Sequence, residues 1–91
     1  MASVSVEKDV VRKSIVLCNK SIQQYKQSAQ ALERKYQEAG CSWHDVKYKQ
    51  LGGVVQECTT ALKTPVKELE ECVRKLNELL KAMEKYENEN I

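Results

Sequence analysis

The sequence has few helix-breaking residues, no long apolar run and no excess of charge of one sign. Three glycines and one proline among 91 residues favour helices over a turn-rich fold. No apolar run approaches the ~20 residues that a membrane-spanning helix needs. Fifteen Lys and Arg against thirteen Asp and Glu leave a net charge of +2, which is too balanced for the basic footprint of a nucleic-acid-binding protein. We therefore expect neither membrane insertion nor a nucleic-acid partner.

The length limits the chain to one small domain. A chain of 91 residues buries only ~60% of the surface that its unfolded form exposes, so a deep enzyme pocket is not expected. Glu7, Lys8 and Asp9 stand where a secretory leader would have an apolar stretch. We expect a protein that is made in the cytoplasm, is not an enzyme and needs no cofactor or metal. Export would have to use a leaderless route.

Two segments show apolar residues at alternating intervals of four and three, the heptad pattern of a helix that packs along one seam. The first predicts a helix over about 6–39, and the second predicts a longer helix over about 44–87. The predicted seam residues of the first helix are Val11, Ile15, Cys18, Ile22, Tyr25, Ala29, Leu32, Tyr36 and Ala39. Those of the second are His44, Tyr48, Leu51, Val55, Cys58, Leu62, Pro65, Leu69, Cys72, Leu76, Leu79, Met83 and Tyr86.

A short turn over 40–43 separates the two predicted helices. Gly40 suits the left-handed conformation that ends many helices. Ser42 is placed to cap the second helix, with Asp45 three residues later as in a capping box. A connection this short makes the helices antiparallel. The predicted fold is all-α, an antiparallel two-helix hairpin with Trp43 at the turn.

Additional apolar residues lie beside the predicted seam of the second helix. Val66, Val73 and Leu80 are spaced by seven residues, and one facing helix cannot cover this stripe together with Leu69 and Leu76. Dimerisation of the hairpin into a four-helix bundle is the simplest way to cover it. We therefore predict that these five residues form a dimer or partner interface.

Two features interrupt the second helix. Gly52 and Gly53 weaken a helix interior, and Pro65 removes a hydrogen bond and crowds the preceding turn. Because the heptad phase is kept across both, we predict one helix with a kink near 61–65. The alternative is a break at Thr64, with Pro65 as the first residue of a third helix.

Cys41 and His44 form a C-x-x-H pair, which is half of a zinc ligand set. No second pair lies nearby in sequence, so a metal site would need ligands from a partner chain. With Asp45 the same residues could form a thiol nucleophile, but the sequence offers neither oxyanion donors nor a pocket. Neither a metal site nor catalysis is therefore predicted here.

The other three cysteines lie on the predicted seams. If paired residue numbers in the hairpin sum to about 83, Cys18 is displaced along the axis by ~10 Å from Cys58 and from Cys72, beyond disulfide reach. We expect these three thiols to be buried and Cys41 to be the exposed one.

Trp43 is the only tryptophan and stands at a turn that needs no bulky side chain. One interpretation makes it a plug that covers the end of the bundle. The other makes it an anchor for another protein, because aromatic residues on rigid turns are good hot spots.

In its layout the chain resembles the Trp-x-Gly superfamily of small type VII secretion proteins, the early-secreted-antigen-like proteins. The shared features are chain length, two long amphipathic helices, Trp43 at the turn and Tyr86 near the C-terminus. The resemblance implies a hairpin that pairs with itself or with a related hairpin into a four-helix bundle. It also implies export from Gram-positive bacteria without a cleaved leader, often as the escort of a larger effector. Trp43 would match the turn tryptophan, and Tyr86 the tyrosine of a C-terminal Tyr-x-x-x-Asp/Glu export signal.

The sequence departs from the family pattern at one position in each of the two motifs. Asp45 occupies the glycine of Trp-x-Gly, and Asn90 stands where the signal has its acidic residue. The resemblance therefore implies Trp43, Asp45 and Tyr86 as recognition residues, with a partner that supplies the complete signal. That partner would be a second copy, a related hairpin or the helical N-terminal domain of a secreted effector. The alternative is a coiled-coil adaptor or chaperone that stays in the cytosol.

Overall fold

The chain folds into a hairpin of two long helices. The computed structural model describes residues 4–89, with side chains from 6 to 87, and these ranges hold α1 (Val4–Ala39) and α2 (Val46–Glu89) without any strand. The two helices pack on each other along a molecule of 70 × 18 × 15 Å. The predicted all-α hairpin is confirmed.

The second helix is continuous from Val46 to Glu89 and contains Pro65 in its interior. The three-helix alternative, with a break at Thr64, is therefore wrong. A proline in a helix interior costs about 3 kcal/mol, and here it lies on the packed part of α2, since Pro65 is half-buried and Val66 is buried.

The seam of α1 agrees with the heptad prediction. Val11 and Ile22 are buried, and the other predicted seam residues of α1 are half-buried except Tyr25, which is just over a third exposed. A 3.5-residue period in the sequence was thus sufficient to find the buried face of this helix.

The seam of α2 differs in part from the prediction. His44 is exposed, and at every second later position the seam includes the next residue along the chain, although the predicted Leu51 and Pro65 are also half-buried. The structure retains Tyr48, Val55, Leu62, Leu69, Leu76 and Met83, but between them it buries or half-buries Gly52, Thr59, Val66, Val73, Leu80 and Glu87. Each of these lies one residue after the one that the sequence predicted. Cys58 and Cys72 are consequently exposed, so the prediction that they are buried is wrong.

The hydrophobic core is thin along its whole length. Among the described residues only Val11, Ile22 and Val66 are buried apolar side chains, and none of them is fully buried. Thr59 is buried on the same seam, where its hydroxyl donates to the Gln56 carbonyl at 3.0 Å. The contact between the two helices is therefore made mostly by half-buried side chains, without a fully buried interior.

Ion pairs fix the register at the open end of the hairpin, the end far from the turn. Lys8 pairs with Glu87, and Arg12 pairs with Glu84 at 3.4 Å. Paired numbers here sum to about 95, so the predicted sum of 83 is wrong at this end of the hairpin. The turn is longer than expected and extends through Asp45. In addition, side chains tilt toward the N-terminus of their own helix. In an antiparallel pair, two side chains that meet therefore come from backbone positions with higher residue numbers than the two positions at equal height, which raises the sum.

We expect the Lys8→Glu variant to lose about 1 kcal/mol of unfolding free energy. The substitution replaces the attraction between Lys8 and the half-buried Glu87 by repulsion between two carboxylates. The double variant Lys8→Glu/Glu87→Lys should recover at least half of this loss. Thermal unfolding followed by circular dichroism measures both, at low salt where charge effects are largest. A double variant no more stable than the single one would contradict this pairing.

Neither described helix has a stretch that is both long enough and apolar enough to cross a membrane.

Candidate functional site

Asp45 organises the turn between the two helices. Its Oδ1 accepts a hydrogen bond from Trp43 Nε1 at 2.7 Å and another from the backbone N–H of Tyr48 at 3.1 Å. The second bond satisfies an amide in the first turn of α2, which makes Asp45 the N-cap. The prediction that Ser42 caps this helix is therefore wrong.

Tyr36 and Tyr48 form a stacked pair directly behind the turn. Their ring centroids are 4.4 Å apart and the rings are nearly parallel. The Tyr48 hydroxyl donates to the Tyr36 carbonyl at 2.9 Å. Desolvation first, and then interaction with Tyr36, raise the pKa of the Tyr48 phenol. The pair joins the end of α1 to the start of α2 through both the stacking contact and the hydrogen bond.

Two glycines make room for the tyrosine pair. A Cβ at Gly40 would collide with the Tyr48 hydroxyl, and a Cβ at Gly52 would lie 2.5 Å from the Tyr36 hydroxyl and 2.9 Å from its Cζ. Neither glycine has a positive φ, so the prediction of a left-handed Gly40 is wrong. Both positions require glycine for space and not for backbone conformation.

Trp43 combines a fixed position with an exposed surface. Its indole N–H is held by Asp45, and its ring lies 5.8 Å from that of Tyr48 in a tilted arrangement. The residue keeps 38% of its surface exposed. The arrangement has features of both interpretations, because the ring packs beside Tyr48 and still leaves more than a third of the residue exposed.

Tyr86 lies at the open end of the hairpin. It is 62% exposed and lines a shallow groove with Glu7, Ala82 and Met83. Because the molecule is 70 Å long, one chain does not bring Tyr86 together with Trp43 and Asp45 at the turn. Asn90, the position of the missing acidic signal residue, lies outside the described residues.

The five residues predicted to form the partner interface lie on the α2 seam. Val66 is buried, whereas Leu69, Val73, Leu76 and Leu80 are half-buried. Val66 lines a groove with Tyr25 and Ala29, and Val73 lines another with Ile22, so this part of the stripe faces α1. In the closed hairpin this surface is occupied by the other helix.

Six residues of α2 directly precede alternate positions of the observed seam, and we name them the Pro65 stripe: Leu51, Cys58, Pro65, Cys72, Leu79 and Tyr86. Cys58, Cys72, Leu79 and Tyr86 are exposed, whereas Leu51 and Pro65 are half-buried. Their spacing of seven residues is visible in the sequence, but the heptad pattern assigned all six to the buried seam.

The four cysteines are free thiols. Among residues 6–87 no three His, Cys, Asp or Glu side chains lie close enough together to hold a metal ion. Cys41 is exposed at the turn, with its Sγ 3.9 Å from the Gln37 carbonyl, and His44 is also exposed.

Comparison with known proteins gave no similarity on which to base an assignment. No family model matches the chain, and neither curated proteins nor solved structures include a significant match.

Proposed function

We propose that this chain is a non-enzymatic partner protein of the Trp-x-Gly type, acting as a type VII secretion substrate or as the escort of a larger helical effector. In this proposal two hairpins pair into a four-helix bundle. The observation that carries it is Trp43, which Asp45 and Tyr48 hold in place while more than a third of its surface stays exposed. A rigid, partly exposed tryptophan is the side chain most favoured as an interaction hot spot.

The thin core supports the same proposal. A two-helix chain with three buried apolar side chains among its described residues gains little from its own packing. Binding to another helical chain stabilises such a hairpin by mass action, since only the folded form presents the helix faces.

We expect the Trp43→Ala variant to keep nearly all of its helicity but to lose at least about tenfold in secreted amount, because truncation at a hot spot costs more than about 1.4 kcal/mol of binding. The measurement compares culture supernatant and cells of a Gram-positive host with a type VII system. Val46→Ala is the matched control, since Val46 is near the turn and 67% exposed.

Two results would count against the recognition role of Trp43. Unchanged secretion of the Trp43→Ala variant would show that Trp43 has no role in recognition. Loss of helicity in that variant would instead support the plug interpretation.

A second candidate function is a cytosolic adaptor, and the exposed thiols favour it. Cys41, Cys58 and Cys72 are exposed and free, which is typical of proteins in a reducing compartment. Under this alternative the wild-type chain stays in the cells and is absent from the supernatant.

A further inference from the structure

The two sides of the hairpin differ in polarity, and the ion pairs define which side is which. Arg12 directly follows the seam residue Val11, and Glu84 directly follows Met83. Because these two charged residues contact each other, positions that follow a seam residue lie on the same side of both helices. Successive helix residues are rotated by ~100°, so positions that precede a seam residue lie on the opposite side.

The side opposite the ion pairs carries several exposed apolar residues from both helices. The Pro65 stripe precedes every second residue of the α2 seam, and it keeps this place because the seam repeats after seven residues, or 3.5 residues per turn. From α1, Val10 and Leu17 precede Val11 and Cys18 and therefore lie on the same side. Val10, Leu17, Leu79 and Tyr86 are each more than half exposed.

The exposed area is too large for a compact monomer. The accessible surface is 7096 Å², against roughly 5,400 Å² expected for a folded monomer of 10.4 kDa. The excess of roughly 1,700 Å² exceeds the ~800 Å² that each partner contributes to a standard interface. A lengthwise contact with one other chain therefore has enough area for a standard interface.

The order of residues in the Pro65 stripe points to a second copy as the partner. Seven residues on either side of Pro65 stand Cys58 and Cys72, and fourteen residues on either side stand Leu51 and Leu79. An interface with twofold symmetry requires a surface that is complementary to itself. An antiparallel pair of α2 helices centred on Pro65 sets leucine against leucine and cysteine against cysteine, with no charged residue in the stripe.

We propose that a second copy of this chain docks on the Pro65 stripe, with the two α2 helices antiparallel about a twofold axis at Pro65. The inference rests on the proposed function only in that the hairpin binds another helical chain. It places the partner on the Pro65 stripe, whereas the sequence alone pointed to Val66, Val73 and Leu80.

This pairing also joins the two ends of the hairpin. Tyr86 follows Pro65 by twenty-one residues, and His44 precedes it by the same number. In the dimer Tyr86 of one copy is therefore level with the turn of the other, which holds Trp43. The exposed open end of each hairpin is covered by the turn end of its partner.

Mass measurement by sedimentation equilibrium, from 1 to 100 µM, tests the dimer. The wild type is expected to reach twice the chain mass, and Leu79→Glu to raise the dissociation constant about a hundredfold, because the dimer buries this leucine twice. Asn77→Glu is the matched control with the same charge change, since Asn77 follows the seam residue Leu76 and lies on the other side. A monomer at all concentrations, or equal effects of the two variants, would overturn the proposal.

Disulfide cross-linking tests the register in a variant that keeps only Cys58 and Cys72. Diamide accepts two electrons and two protons from a pair of thiols and leaves a disulfide between them. We expect dimers in which Cys58 of one copy is linked to Cys72 of the other, identified by mass spectrometry of the non-reduced digest. Links of Cys58 to Cys58 and of Cys72 to Cys72 would show a parallel pair and overturn the proposal.

The two proposals fail separately. Loss of the dimer in Leu79→Glu with normal secretion would leave the secretion proposal intact with a different partner. A wild-type dimer with the expected cross-link but no secretion would leave the interface intact and remove the secretion role.

Discussion

Replacing Val66 by Ala is expected to lower the unfolding free energy of the hairpin by about 2 kcal/mol. The side chain is 8% exposed and packs in the groove that Tyr25, Ala29 and Leu62 also line. The substitution removes two methyl groups, each contributing about 0.8 kcal/mol, and leaves a cavity that rigid helices fill only in part. For a domain of this size the melting temperature should fall by about 8–16 °C.

Val16→Ala is the matched control for the Val66 prediction. Val16 is 64% exposed on α1, so the same change of atoms should alter stability by less than about 0.5 kcal/mol. Both variants are unfolded in urea with helicity as the signal, at two protein concentrations to separate folding from association. Equal effects in the two variants would mean that Val66 does not lie between the helices.

The adjacent glycines of α2 are expected to respond to alanine with opposite signs. At Gly53 a Cβ meets nothing within 4 Å, so Gly53→Ala should stabilise the helix by up to about 1 kcal/mol. At Gly52 the new methyl would lie 2.5 Å from the Tyr36 hydroxyl. Tyr36 cannot move away without separating from Tyr48, and overpacking of this kind costs about 1–3 kcal/mol. Gly52→Ala should therefore be destabilising by about 1 kcal/mol net.

The combination of Gly52→Ala with Tyr36→Ala tests the reason for this difference. Without the Tyr36 ring the alanine at 52 gains its helix propensity without a collision, so in that background it should become stabilising. Thermal melts of the four chains of this cycle measure the coupling. If Gly52→Ala destabilises equally with and without the ring, the steric explanation is wrong.

The helical hairpin was predictable from the sequence because the pattern that defines each helix is local and repeats along the chain. Alternating intervals of four and three residues define a helix that packs on another, and the short connection makes the pair antiparallel. For α1 the pattern also identified the buried face, because polar residues flank most of its seam positions.

The buried face of α2 was not predictable in the same way. At 65–66, 72–73 and 79–80 two apolar residues stand side by side, and either member satisfies a period of 3.5 residues. The choice depends on what α1 presents and on where the turn places α2. The burial of Thr59 in place of Cys58 shows this, since hydrophobicity alone favours the cysteine.

The turn shows a different limit of sequence reasoning. Trp43 and Asp45 were singled out, but the roles of Gly40 and Gly52 depend on two tyrosines that are remote in sequence. Tyr36 and Tyr48 were predicted to lie on the seams, and nothing in their spacing predicts that their rings stack or that each requires a glycine beside it.

The elongated outline determines how this molecule diffuses and scatters. Its radius of gyration is 20.5 Å, against roughly 12 Å for a compact chain of 91 residues. A single chain should therefore elute early in gel filtration and imitate a heavier particle. Two such rods lying side by side with their centres nearly aligned would double the forward scattering intensity per chain while the radius of gyration changes little.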